Sequence, residues 1–184
     1  MTLIIVLVVV ALLVMWAIGV YNGLVCMRNN RENAFANIDV QLKLRHDVIP
    51  QLVETVKGYA AHEKSLLEGI TRARTAAMNA STIDEKIQAE TQLTNALAGL
   101  KVSVEAYPDL KANQNFLQLQ NEIADIENKL AAVRRNFNSA TKEYNNACET
   151  FPGNILAGMF GFHREVMFEV EDRKTYEQAP EIKF

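Results

Sequence analysis

The sequence predicts an all-α protein, with one N-terminal transmembrane helix followed by an elongated antiparallel helical bundle of about four helices. Three observations carry this reading. No charged side chain occurs between Met1 and Met27. Beyond that stretch, apolar residues recur at alternating steps of three and four over long runs, the repeat of a single helix face. Glycine and proline number only 8 and 4 among 184 residues, so turns are few and the regular segments must be long. The chain divides into an anchor over residues 1–27, a bundle over 28–151 and an apolar C-terminal tail over 152–184.

The first element is the anchor. Leu3 to Ile18 is nearly continuous Leu, Ile, Val and Ala around Met15 and Trp16. A helix from Leu3 to Val25 would be about 35 Å long, enough to cross a hydrocarbon core of about 30 Å. A cleaved signal peptide would want Lys or Arg ahead of a shorter apolar run and a small-x-small cleavage site, which the sequence lacks. Leu3, Ile4, Val10 and Leu13 therefore read as membrane-anchor residues in contact with lipid. Trp16 and Tyr21 fall toward the exit interface, where amphipathic rings are favoured. No Lys or Arg precedes the span, whereas Arg28, Arg31, Lys43 and Arg45 follow it. The positive-inside rule then places the N-terminus outside and the rest of the chain in the cytoplasm. Gly19 and Gly23 form a G-x-x-x-G spacing; the plain reading is two permissive glycines, the sharper one an oligomer contact.

The next run, Phe35, Ile38, Leu42, Ile49, Leu52, Val56, Tyr59, Leu66, Ile70, Ala73 and Ala77, keeps the helical repeat. Arg45 and Glu63 interrupt it without shifting register, which predicts one long helix or two nearly collinear ones. Pro50 lacks the amide that would bond the His46 carbonyl, so a kink or short break is expected near residues 46–50. Thr82 with Glu85 forms a capping box, opening a helix marked by Ile83, Ile87, Leu93, Leu97, Leu100 and Val104. Pro108 stops that helix, and Asn113 or Asn115 can cap the one that follows. Phe116, Leu119, Ile123, Ile126, Leu130, Val133, Phe137, Ala140, Tyr144, Ala147 and Phe151 then line one face of a helix roughly 50 Å long. A monomeric bundle and a coiled-coil oligomer both satisfy these seams.

The tail, through Ile155, Leu156, Met159, Phe160, Phe162, Met167 and Phe168, is too apolar for a solvated linker. It either docks back on the bundle or contacts another subunit or the membrane, with Met159, Phe160 and Phe162 as oligomer-contact candidates.

The sequence carries little recognisable chemistry. His62-Glu63 lacks the second histidine of H-E-x-x-H, because Leu66 stands there. His46 and His163 have no partner at ligand spacing, and Cys26 and Cys148 stand in no metal or redox motif, so no metal, cofactor or catalytic residue is assigned. A net charge of −3 argues against nucleic acid as a partner. The densest polar cluster, Asp39, Lys43, Arg45, His46 and Asp47, reads mainly as a solvated face with an Asp39–Lys43 pair. Its sharper reading is a contact for a partner or lipid through Asp39, Lys43, Arg45 and Asp47. Asn136, Asn138, Asn145 and Asn146 are unusual on a long helix and suit hydrogen bonds between helices.

Several ordered segments resemble the LemA family of bacterial membrane proteins, which includes a magnetosome-membrane member. They are Tyr21-Asn22-Gly23-Leu24-Val25, Ile38-Asp39-Val40-Gln41-Leu42, Asp47-Val48-Ile49-Pro50-Gln51-Leu52-Val53 and Val56-Lys57-Gly58-Tyr59-Ala60. Ala106-Tyr107-Pro108-Asp109-Leu110-Lys111-Ala112-Asn113, Arg134-Arg135-Asn136-Phe137-Asn138, Tyr144-Asn145 and Phe151-Pro152 continue the match, with Leu44 and Gln51 departing from the family's usual residues. The resemblance implies an N-terminal anchor, a cytoplasmic helical domain, no established catalytic activity and an association with a membrane-embedded metalloprotease. The function expected is a self-associating membrane scaffold, in contact with lipid, acting in membrane organisation or quality control. The alternatives are an adaptor presenting partners to a membrane metalloprotease or transporter, and a ligand-binding bundle or hydrolase.

Overall fold

The structure, a computed structural model, describes residues 1–168; the last sixteen residues of the tail, 169–184, lie outside the described residues. Six α-helices follow one another: α1 (Thr2–Lys57), α2 (Lys64–Asn79), α3 (Ile83–Val104), α4 (Pro108–Lys111), α5 (Gln114–Glu149) and α6 (Gly153–Phe160). No strand occurs among the described residues. The fold is all-α, as the seams predict.

The boundary expected at residue 27 falls inside α1. This helix passes unbroken from the apolar N-terminal stretch into the bundle, and the break expected at Pro50 is not there. The reason is a substitute donor. Proline leaves the His46 carbonyl without its amide partner, and Arg74 of α2 donates its Nε–H to that oxygen at 2.7 Å. The interruption falls instead at Gly58 to Glu63, where α1 ends and a single 3-10 turn, Ala61–Glu63, reverses the chain. Hence the two halves of the first seam are neither one helix nor collinear. Arg74 could not reach His46 unless α2 folded back along α1.

Paired residues fix the remaining directions. Asp39 meets Lys86 and Arg45 meets Glu90, so α3 runs parallel to α1. Arg45 also meets Glu127, and Phe35 meets Phe137, so α5 returns antiparallel. The result is a four-helix bundle of α1, α2, α3 and α5. Both bonds of the Thr82–Glu85 capping box form, and the backbone amides of Ser81 and Thr82 hold the Glu85 carboxyl below its usual range. The Asn113 side chain caps α5 by accepting from the Phe116 amide at 3.0 Å.

Leu42, Ile49, Val56, Ile70, Leu93, Leu100, Phe116, Leu130 and Phe137 fill one continuous core. Tyr59 leaves the seam at the turn and stays exposed, accepting a hydrogen bond from Asn113. Phe151, the expected end of the last seam, is also exposed, because α5 stops at Glu149. Two glycines bracket α6. A Cβ on Gly153 would overlap the Ala147 carbonyl oxygen, and Gly161 ends the helix with φ +74°, a left-handed conformation suited to glycine.

The substitution at Pro50 gives a double-mutant cycle. Arg74→Ala should cost about 1–2 kcal/mol in the wild-type background, since it leaves the His46 carbonyl unpaired. With Pro50→Ala the helix recovers its own bond, and the same change should cost less than half as much. Denaturant unfolding followed by circular dichroism measures both, and equal costs in the two backgrounds would refute the substitution.

Candidate functional site

Two places gather the polar and aromatic residues singled out by sequence: a charged cluster within the bundle and a collar at its N-terminal base. In the first, Arg45 and Glu90 each occupy a seam position that the repeat reserves for an apolar residue, and both are 1% exposed. A charge is tolerable there only when its hydrogen bonds are met. Arg45 Nη1 donates to Glu90 Oε2 at 2.9 Å, while Nη2 donates to Thr94 Oγ1 at 3.0 Å and pairs with Glu127 at 2.7 Å. His46 Nε2 lies 2.6 Å from the other Glu90 oxygen; because a carboxylate only accepts, the imidazole presents its Nε2–H. These interior groups converge on one another.

This arrangement corrects the reading of the polar cluster. Arg45 is buried inside its own bundle. Asp39 does not pair along the helix with Lys43; both its oxygens accept from Lys86 Nζ, at 2.9 and 2.8 Å. Only Lys43 and Asp47 remain exposed, beside Val40 and Leu44 on the outer face of α1. Glu90 escaped sequence reading, although a lone carboxylate between Ile87 and Leu93 on a seam was the available signal.

The collar is built from α1, α6 and the segment after it. Leu3, Ile4, Val10, Leu13 and Trp16 stand exposed on the apolar stretch of α1, which is long and apolar enough to cross a membrane. Above them, Tyr21 meets Phe160 and Phe162 edge-on, with ring centroids 4.9 and 5.6 Å apart. Leu24, Tyr144, Cys148, Ala157 and Phe162 form a second small core. Phe162, expected as an oligomer contact, is buried within its own chain with the Arg28 guanidinium 5.3 Å from its ring centre. Met159 and Phe160 remain exposed. Burial pushes the Cys148 thiol and the Tyr144 hydroxyl upward in pKa, so Cys148 is a poor nucleophile.

The described part of the tail docks back on the bundle through α5. Asn145 Nδ2 donates to the Glu165 carbonyl at 2.9 Å and its Oδ1 accepts the Glu165 amide at 2.8 Å. Asn138 does the same with Phe168, at 3.0 and 2.9 Å. These asparagines pair with the tail backbone, not with a neighbouring helix as the sequence suggested. Phe168 then seats beside Phe35 and Phe137. Arg31, read from sequence only as a flanking charge, is buried; it pairs with Glu165 at 3.1 Å and lies 5.1 Å from the Phe137 ring centre. Gly19 and Gly23 have open space where a Cβ would stand. At 100° per residue they share a face with Cys26, roughly opposite the face of Tyr21, Leu24 and Arg28 that receives α6.

Comparison with known proteins covers most of the chain. Residues 34–184 match the profile that describes the LemA family. The chain is also similar to the Protein LemA of Metamycoplasma hominis, at 25% identity over 157 residues, covering 84% of this chain and 71% of that one.

Removing one member of the buried cluster should be costly. Arg45→Leu alone should destabilise the bundle by about 3–5 kcal/mol, because it strands the Glu90 charge. Arg45→Leu combined with Glu90→Leu should recover at least half of that loss. Denaturant unfolding of the detergent-solubilised chain reads both, and a double variant no more stable than the single one would contradict the pairing.

Proposed function

The chain belongs to the LemA family, a family not known for enzymes, and on that premise we propose that it is a single-pass membrane scaffold that self-associates. The observation that carries this is the continuity of α1. Its apolar, uncharged segment is uncovered by the rest of the chain, and its C-terminal half is the central element of the bundle. One rigid helix thus joins bilayer and bundle. The bundle stands in the cytoplasm of a bacterial inner membrane and organises that membrane or its quality control. Arg28 and Arg31, following an uncharged span, support this orientation.

Self-association is supported by the open Gly19–Gly23 face of the span. A second reading, an adaptor for a membrane protease or transporter, is favoured by Val40 and Leu44, exposed beside Lys43 and Asp47 on one face of α1. Charge reversal at Lys43 and Asp47 would release such a partner without altering self-association.

The native cysteines supply a direct experiment, since Cys26 is exposed on the glycine face and Cys148 is buried. Oxidation of intact membranes should trap a Cys26–Cys26 dimer in wild type and in Cys148→Ala. Gly23→Leu should lower its yield several-fold, as close helix approach is lost. Monomer alone, with oxidant and with a bismaleimide, would end the self-association reading.

A further inference from the structure

α6 presents an apolar face that nothing in the described chain covers. Leu156 and Ala157 turn inward, while Phe151, Ile155, Met159 and Phe160 are 80, 53, 71 and 56% exposed. No charged residue occurs from Thr150 to Phe162. A patch of this kind at the base of a small bundle needs an occupant.

Its height along α1 identifies that occupant. The last exposed aliphatic side chain of the apolar stretch is Ile18, and the first charge is Arg28. A bilayer boundary must fall between them, within about 15 Å of helix, if α1 spans the membrane. α6 sits in the middle of that window, since Phe160 contacts Tyr21 and Ala157 shares a core with Leu24. The patch therefore continues the lipid-facing surface of α1. Polar groups rim it: Arg164 pairs with Glu149 at 3.1 Å, His163 is exposed, and Arg28 stands over Phe162. Apolar and aromatic side chains at the boundary with cations beside them are the arrangement of a segment lying in the headgroup layer.

We propose that α6 together with Phe151 is an interfacial membrane-binding element, inserting Phe151, Ile155, Met159 and Phe160 into the phospholipid leaflet nearest the bundle. This rests on the reading of α1 as a membrane anchor. It adds a second attachment, off the axis of the first, which fixes the rotation and tilt of the bundle.

The test uses the full chain in phosphatidylcholine–phosphatidylglycerol vesicles and exploits the single native tryptophan, Trp16. Trp16→Phe with Met159→Trp, and Trp16→Phe with Phe151→Trp, each report one end of the patch. Both emissions should fall roughly twofold with lipids brominated near the headgroup, less with lipids brominated near the chain end, and little with aqueous acrylamide. Quenching by acrylamide but not by bromolipid would show a solvated face, and quenching by neither would show a protein-covered one; either overturns the proposal. Wild type, read in parallel through Trp16, separates the two failures. Bromolipid quenching of Trp16 without quenching at 159 and 151 sinks the α6 element alone. Loss of quenching at Trp16 as well sinks the anchor, and this inference with it.

Discussion

α1 has to remain one helix from Thr2 to Lys57, because α2, α5 and α6 all take their positions against it. Its 56 residues give a rod about 84 Å long, on which a free joint anywhere would uncouple the apolar end from the bundle. Pro50 is the natural place for such a joint. Arg74 repairs it from outside the helix by satisfying the orphaned carbonyl of His46. Because that repair comes from α2, the unbroken course of α1 and the folding-back of α2 support each other. A reversal at the proline would remove the donor's target; a collinear α2 would remove the donor.

The buried charges do for register what the proline repair does for direction. Leucine and isoleucine seams tolerate sliding by a turn, since one apolar residue replaces another at little cost. Arg45 and Glu90 do not. Each interrupts its own seam and pairs with the other, with Thr94 and Glu127 as further partners of Arg45 and His46 as a further partner of Glu90. A slip of α3 against α1 would bury two unpaired charges. Asp39 with Lys86 repeats the constraint nearer the base, in a more exposed setting where it contributes less.

Local and periodic features were legible in the sequence. The long apolar N-terminal helix, the seams of α3 and α5, the capping box at Thr82 and the cap at Asn113 all depend on residues close together in the chain. Long-range partners were not. Arg45 was visible as an interruption, but nothing local says that an arginine on a seam finds Glu90 rather than water. Pro50 announced a lost hydrogen bond, whereas its rescuer lies 24 residues away in sequence, so a break was the natural expectation. The turn at Gly58–Glu63 was masked because Tyr59 and Leu66 keep the period across it. Asn138 and Asn145 stood out as poor helix formers, and only the fold shows that their amides pair with the backbone of the tail.

The two faces of the anchor also decide whether self-association and lipid contact by α6 compete. Gly19, Gly23 and Cys26 lie on one side of α1 and the residues that receive α6 on roughly the opposite side. A dimer closed through the glycine face would leave both copies of α6 pointing away from the contact, each against lipid. Had the two surfaces coincided, α6 would have shielded the glycines or been buried by the partner. With the two surfaces opposed, each copy of such a dimer would bring one off-axis attachment to the outside of the pair, at two separated points of the leaflet. A symmetric grip of this kind resists tilting in either direction, which a lone helix cannot do. In such a dimer, association and interfacial binding would reinforce each other.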